Sequence, residues 1–237
     1  MNKAHLLRKR EPRLQGWLVL IRIAPESQSG IVVGVARGEW VVINRLSSLC
    51  QLISIRRGIM SSYQQEFARA VAVQNIEYLR RAYAKATDLI GLADPDSVEA
   101  GRQIYHRIFS ADAEFTISGE GTDAMQASGP DGWVDVVAEA LAPLGPTQHL
   151  IGTQLVEIQS LTLDASGSPQ SGQAQMESYV QAWHEMTDEK VWLFLGTYLD
   201  EVSFYPDVGW QITNMELRRV TGEIRPIGES VAVAGKA

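Results

Sequence analysis

One histidine near the start of an apolar strand is the residue in this sequence best suited to acid–base chemistry. His149 lies in the stretch 146–158, which is opened by Pro146, is rich in Ile, Leu, Val and Thr, and is typical of a β-strand. We expect its imidazole to point into an apolar cavity, and histidine titrates nearest neutral pH. The sequence therefore predicts a general acid or base at His149. The simpler interpretation is a core histidine that only hydrogen-bonds a neighbour.

The remaining residues that could carry chemistry indicate neither a metal nor a cofactor. The four histidines, at positions 5, 106, 149 and 184, do not have the spacing of metal ligands. The single cysteine, Cys50, excludes an intramolecular disulfide and a cysteine-based zinc site. The sequence also contains no phosphate loop and no serine or cysteine nucleophile motif. We therefore expect no metal and no cofactor.

Charge is unevenly distributed and restricts the partners. Residues 1–60 carry ten Lys and Arg against three Asp and Glu, whereas the rest carries eleven against twenty-five, giving net charges of +7 and −14. An acidic body is a poor candidate for binding nucleic acid. The apolar run from Trp17 to Ile21 is too short to cross a membrane. We expect a cytoplasmic protein that binds neither nucleic acid nor membrane.

The change in composition near residue 60 also predicts the domain boundaries. We expect residues 1–60 to be a poorly ordered basic extension or, because Met60 is followed by two serines as in a natural start, a mis-assigned start. Weak alternation over 30–43 predicts a hairpin. Residues 61–226 are predicted to form one domain and residues 227–237 a flexible tail.

Periodicity predicts that helices come before strands in this domain. Apolar residues at helical spacing indicate three helices, over approximately 64–91, 97–109 and 131–141. Four long strands follow, over 146–158, 174–183, 191–205 and 210–217. Gly196 inside the third of these strands predicts a bulge or bend. The expected fold is α+β: three helices packed on a strongly bent antiparallel sheet, forming a cone with an interior cavity.

Residues 64–225 resemble the SnoaL-like branch of the nuclear-transport-factor-2-like superfamily. The resemblance is carried, in order, by IEYLRRAY from Ile76, FSADAEF from Phe109, TQH from Thr147, and GTYLDE from Gly196 followed by GWQI from Gly209. It implies the cone fold, a homodimer, and a pocket for a small hydrophobic molecule.

The resemblance also implies a carboxylate partner for His149. In dehydratase and dehydrochlorinase members, the corresponding histidine pairs with an aspartate just after the first helix. Such a carboxylate fixes the tautomer of the imidazole and raises its basicity. Asp94 and Asp96 follow the first predicted helix, and Asp88 lies in its last turn. We favour Asp94, then Asp96, although either residue could instead cap the second helix.

Six further residues are predicted to line the substrate pocket: Tyr83, Trp133, Met176, Tyr198, Asp200 and Trp210. Tyr83 or Tyr198 would donate a hydrogen bond to a developing oxyanion. Asp200 is either a pocket acid or an exposed partner of a surface arginine, and core packing is the alternative for the others. The function predicted is a cofactor-free lyase, isomerase or cyclase acting on a small hydrophobic molecule. The alternative is a ligand-binding or assembly module, because fold does not fix function.

Overall fold

The computed structural model describes the backbone of residues 19–23, 31–35, 39–43, 46–121 and 124–227, and the side chains of residues 62–121 and 124–227. The chain divides into two compact units, Met1–Tyr63 and Gln64–Ala237. The predicted tail lies outside the described residues, except for Ile227.

The first unit contains a small antiparallel sheet. Its strands are β1 (Val19–Ile23), β2 (Ile31–Val35) and β3 (Glu39–Ile43), in the order β1-β2-β3. The pairing of β2 with β3 confirms the predicted hairpin. The other residues of the predicted extension before Leu46 lie outside the described residues, so the expected disorder or mis-assigned start stays a prediction.

Three helices are present in the described residues: α1 (Leu46–Ile90), α2 (Pro95–Ile108) and α3 (Gly129–Leu141). The first begins well before the predicted residue 64. Residues 46–63 contain no proline, and their single glycine does not interrupt the helix. Proline stands in the first turn of α2 and of α3, where its missing N–H costs no hydrogen bond.

A six-stranded mixed sheet forms the rest of the second unit, in the order β5-β4-β9-β8-β7-β6. Its strands are β4 (Phe109–Ser118), β5 (Met125–Ser128), β6 (Leu144–Leu163), β7 (Pro169–Met186), β8 (Lys190–Tyr205) and β9 (Gly209–Pro226). Neighbours are antiparallel except β4 and β9, which are parallel. The α+β class is confirmed, and β6 to β9 are antiparallel as expected. The sheet as a whole is mixed, because β4, the short strand after α2, pairs in parallel with β9.

Bulges bend this sheet around its core. The register shifts between Gly152 and Leu155 on β6 and between Leu195 and Gly196 on β8. A Cβ at Gly196 would lie 2.6 Å from the Phe194 ring and 3.0 Å from the carbonyl oxygen of Arg218. The predicted irregularity at Gly196 is therefore confirmed, and glycine is needed there for close backbone approach.

Aromatic side chains connect the helices to the concave face of the sheet. The Tyr83 and Tyr105 rings stack with centroids 5.3 Å apart, and Phe115 stacks on Trp133 at 4.9 Å. Phe109 meets Phe115 edge to face at 4.7 Å. Because these rings are almost fully buried, they fix α1, α2 and α3 against β4, and the remaining concave surface is left to line a cavity.

Candidate active site

The side chains of Asp88 and His149 form a hydrogen-bonded pair between α1 and β6. Their Oδ1 and Nδ1 atoms are 2.7 Å apart. The same Asp88 oxygen accepts hydrogen bonds from the backbone N–H of His149 and from the hydroxyl of Thr147, each at 3.1 Å. Only 8% of the His149 side chain and 20% of the Asp88 side chain is exposed. A carboxylate held by three donors orients the imidazole firmly, because Nδ1–H donates to it and Nε2 is left outside this contact.

Strand geometry explains why Thr147 and His149 act on one carboxylate. Residues two apart on a strand point to the same face, so both side chains point toward the helix layer. The last turn of α1 crosses this position and brings Asp88 to it. This explains the spacing of the TQH motif, because its threonine helps to hold the carboxylate that orients its histidine.

The expected partner of His149 is corrected, because the structure does not bring Asp94 or Asp96 to it. Asp94 is the N-cap of α2 and accepts a hydrogen bond from the backbone N–H of Ser97 at 3.0 Å. Hydrogen bonding by Ser97, first through its side chain and then through its backbone N–H, lowers the pKa of Asp94. Asp96 is exposed in the first turn of α2, where its negative charge interacts favourably with the helix dipole. The capping alternative thus describes Asp94, Asp96 lies in the first turn of α2 without a capping hydrogen bond to any residue that the structure describes, and Asp88 occupies the partner position.

A cavity of about 150 Å³ adjoins the His149 ring. Its polar lining comes from His149, His184, Thr87 and two tyrosines, and its apolar lining includes Ile117, Val137, Leu141, Ala182, Phe194 and Leu217. A mostly apolar wall with a few convergent polar groups is typical of a small-molecule site.

Three of the six predicted binding residues line this cavity: Tyr83, Trp133 and Tyr198. The Trp133 indole N–H donates to the Tyr83 hydroxyl at 3.3 Å, so the Tyr83 proton remains available for another acceptor. Burial, and then the neighbouring Tyr83, raise the pKa of Tyr198 well above its ordinary value. Tyr198 is therefore a neutral hydroxyl donor at physiological pH.

The other three predicted binding residues lie elsewhere, and their assignment is corrected. Met176 is buried, and its sulfur accepts a hydrogen bond from Gln154 at 3.6 Å. Trp210 packs edge to face on Phe204, with ring centroids 5.4 Å apart, away from the cavity of His149. Both side chains follow the periodic apolar pattern that more often marks a core than a site.

Asp200 is neither a pocket acid nor an exposed residue, because it pairs with Arg80 in the core. Both side chains are fully buried, and the guanidinium donates to both carboxylate oxygens. The Arg80 guanidinium also lies 3.8 Å from the centroid of the Tyr198 ring and 4.5 Å from that of Tyr83. This buried pair therefore supports two rings of the cavity from behind.

Burial acts oppositely on the two charges of this pair. It lowers the pKa of Arg80, but the Asp200 carboxylate more than offsets this effect and the net direction is upward. Burial raises the pKa of Asp200, and Arg80 opposes the shift without cancelling it. The two directions disagree about whether the ionised pair is favoured. The geometry supports ionisation, because a neutral Asp200 would leave a buried guanidinium without a counter-ion.

A second histidine, His184 on β7, lies beside His149 and was not predicted. The two rings meet edge to face with centroids 5.6 Å apart, and His184 stacks on Trp192 at 4.5 Å. His184 Nδ1 lies 3.3 Å from the carbonyl oxygen of Trp192, so this nitrogen carries the proton and Nε2 is an acceptor. Burial, and then the charge of His149, lower the pKa of His184 to about 4.

The lowered pKa of His184 predicts a stability that depends on pH. Because the unfolded chain binds a proton near pH 6.5 and the folded chain only near pH 4, stability is full above pH 6.5 and falls toward pH 4. The loss should reach up to about 3 kcal/mol. His184→Asn, which keeps a donor for Trp192, should flatten this slope when urea unfolding is measured at pH 7 and pH 4.5. A slope unchanged from the wild type would contradict the assignment, and His106→Asn is the control at an exposed histidine.

No group of three or more His, Cys, Asp or Glu side chains is arranged to hold a metal ion within residues 62–121 and 124–227. Among the helices that the structure describes, none has the length and apolar character needed to cross a membrane.

Comparison with protein families supports the resemblance seen in the sequence. Residues 101–216 match the family model of the SnoaL-like domain, which confirms the predicted resemblance over that range. A comparison with curated proteins finds no match.

Two solved structures share the fold. One, named "Putative Scytalone Dehydratase", from Novosphingobium aromaticivorans DSM 12444, is 20% identical, with 70% of this chain and 99% of that chain covered and a TM-score of 0.50. A hexachlorocyclohexane dehydrochlorinase of type 2 is 17% identical, with 68% and 93% covered and a TM-score of 0.51. At these identities the likeness concerns the fold.

Proposed function

We propose that this protein is a cofactor-free lyase or isomerase that removes a proton from carbon in a small hydrophobic ring compound. The observation that carries the proposal is the 2.7 Å contact between His149 Nδ1 and Asp88 beside an apolar cavity. The names of the two structural neighbours denote eliminations, but the geometry of the pair, rather than the shared fold, supports this chemistry.

In the proposed step, His149 Nε2 accepts a proton from a substrate carbon, and the Asp88 carboxylate stabilises the imidazolium that forms. The electrons of the broken C–H bond form a double bond to the neighbouring carbon. In an elimination, that carbon loses its hydroxide or halide together with the bonding pair. In an isomerisation, the electrons move onto a carbonyl oxygen instead, where Tyr83 or Tyr198 donates a hydrogen bond to the developing oxyanion.

The volume and polarity of the cavity indicate the substrate class. A volume of about 150 Å³ accommodates approximately one six-membered ring. His184 presents an unprotonated Nε2, so it would accept a hydrogen bond from a ring hydroxyl. A hydroxylated or halogenated monocyclic compound, or a cyclic ketone, therefore suits the cavity better than the larger polycyclic molecules that cyclases process.

Proton exchange in D₂O tests the proposal even where the final product of the reaction is unidentified. A panel of cyclohexanones, cyclohexanols and chlorocyclohexanes is incubated with the full chain, and loss of C–H signal or release of water or chloride is measured by NMR and mass spectrometry. We expect at least one compound to exchange or eliminate faster than in buffer. His106→Gln should leave the rate unchanged, because His106 pairs with Asp131 at the surface and at a similar distance of 3.0 Å.

The same experiment separates the enzyme from a ligand-binding module. A compound that shifts the His149 ring resonances on binding, yet exchanges protons only at the buffer rate, would overturn the acid–base proposal. The protein would then be a carrier or assembly module, since fold does not fix function.

The homodimer implied by the resemblance remains part of this proposal. It is supported by Leu150, Leu155 and Tyr179, which expose 60%, 63% and 50% of their surface on β6 and β7. Leu150 neighbours His149 on β6 and therefore points to the opposite face of the sheet, so this apolar patch lies outside the cavity. Sedimentation velocity that shows only monomer would refute it.

A further inference from the structure

A second cavity, of about 460 Å³, lies between α1, α2 and the turn that joins β8 to β9. We call it the helix groove, and its walls include Tyr78, Lys85, Arg107, Ile108, Phe204 and Trp210. It shares no residue with the cavity beside His149. Its volume falls within the range of about 300–1,000 Å³ that small-molecule sites occupy.

The floor of the helix groove is aromatic and apolar. Phe204 and Trp210 meet edge to face, and Ile108 is almost fully buried beside them. Tyr78 leaves 63% of its surface exposed at the rim. A flat apolar ligand would cover this surface and gain the hydrophobic contact that the groove leaves to solvent.

The charges of the groove are all positive, although the chain from residue 61 onward is strongly acidic. Of the side chains described, Lys85 and Arg107 are the only charged ones that line it. Neither forms an ion pair or a side-chain hydrogen bond with any residue that the structure describes. The eight other basic residues of 62–227 are all engaged: six pair with carboxylates, and two donate to backbone carbonyls.

We propose that the helix groove binds a small aromatic carboxylate, with its rings on Phe204 and Trp210 and its carboxylate held by Lys85 and Arg107. Two cations at one apolar groove, neither paired with a side chain that the structure describes, complement an anion. The site is independent of the proposed acid–base chemistry, because the two cavities have no residue in common.

The charge of the ligand is tested with 2-naphthoate and its neutral counterpart 2-naphthamide, titrated into the full chain by calorimetry and by ¹H–¹⁵N NMR. For an acid of about thirteen heavy atoms we expect a dissociation constant near or below about 1 mM. The acid should bind at least about threefold more tightly than the amide. This preference should shrink at about 0.5 M salt, because the cations are exposed and screened. NMR shifts should fall on the amides of Ile108 and Gly209 and on the Trp210 indole.

Charge variants then test the two cations. Lys85→Gln and Arg107→Gln should each weaken naphthoate about threefold to tenfold and leave naphthamide unchanged. Lys190→Gln is the matched control, since it removes the same charge from a lysine that pairs with Asp188 outside the groove. Equal affinity for acid and amide, equal weakening by Lys190→Gln, or shifts confined to the cavity of His149 would each overturn the proposal.

Discussion

His149→Gln is expected to lower the rate of the proton transfer proposed above by about 10²–10⁴-fold, the usual contribution of a positioned general base. Asp88→Asn should cause a loss of similar size. The amide cannot stabilise the imidazolium, and it no longer fixes the tautomer that leaves Nε2 free. Both rates are measured with the substrate identified by exchange in D₂O.

The double variant identifies the two residues as one unit. If Asp88 acts only through His149, the rate of His149→Gln/Asp88→Asn should equal that of His149→Gln within a small factor, because effects within a unit are not additive. Losses that multiply would contradict the pairing. A readout independent of turnover is the ¹⁵N spectrum of the His149 ring, which should show a protonated Nδ1 in the wild type and a changed tautomer balance in Asp88→Asn.

Asp200→Asn is expected to destabilise the protein by about 3–5 kcal/mol in urea unfolding at pH 7, because it leaves the Arg80 guanidinium buried without a counter-ion. We expect this loss of stability to come from the unpaired charge of Arg80 and not from a change in packing. The combined variant Arg80→Met/Asp200→Leu, which replaces the pair with apolar side chains of similar size, should recover most of the stability.

A surface pair provides the comparison for this effect. Asp131 contacts Arg102, with 62% and 30% of their side chains exposed, and Asp131→Asn should cost less than about 1 kcal/mol. If Asp200→Asn were equally mild, Arg80 would have to reach water or another acceptor in the folded state. If the combined variant were as unstable as Asp200→Asn, packing and cation–π contacts rather than charge would dominate.

Local patterns were sufficient to predict the three helices, the four long strands and one half of the candidate site. The position of His149 in an apolar strand predicted a histidine in a cavity wall, and Gly196 predicted an irregularity in the pairing of β8, because both inferences depend only on near neighbours in sequence. The parallel pairing of β4 with β9 joins segments about a hundred residues apart, and no periodicity encodes such a register.

The partner of His149 could not be chosen from the sequence for a related reason. Asp94 and Asp96 follow the helix at the expected place, but which carboxylate reaches β6 depends on where α1 crosses the sheet. The position of Asp88 on the helix could have indicated the partner. Asp88 follows Ala84 by one turn and borders the buried face formed by Tyr83, Thr87 and Ile90. The sequence indicated the role of His184 less clearly. Alternation on β7 places His184 on the same face as Ala182, but the sequence alone does not show that this face is buried.

The Asp88–His149 hydrogen bond joins residues 61 positions apart, at the end of α1 and the start of β6. Closing a loop of this length costs entropy, so we expect the bond to form late, after α2, β4 and α3, which lie between its two ends in sequence, have folded. A chain with its helices formed but its long strands unpaired would therefore contain both residues, but Asp88 would not yet orient the imidazole of His149. During refolding, we expect the tautomer of His149 to report the meeting of α1 with β6, because the hydrogen bond forms only when these two elements are in contact.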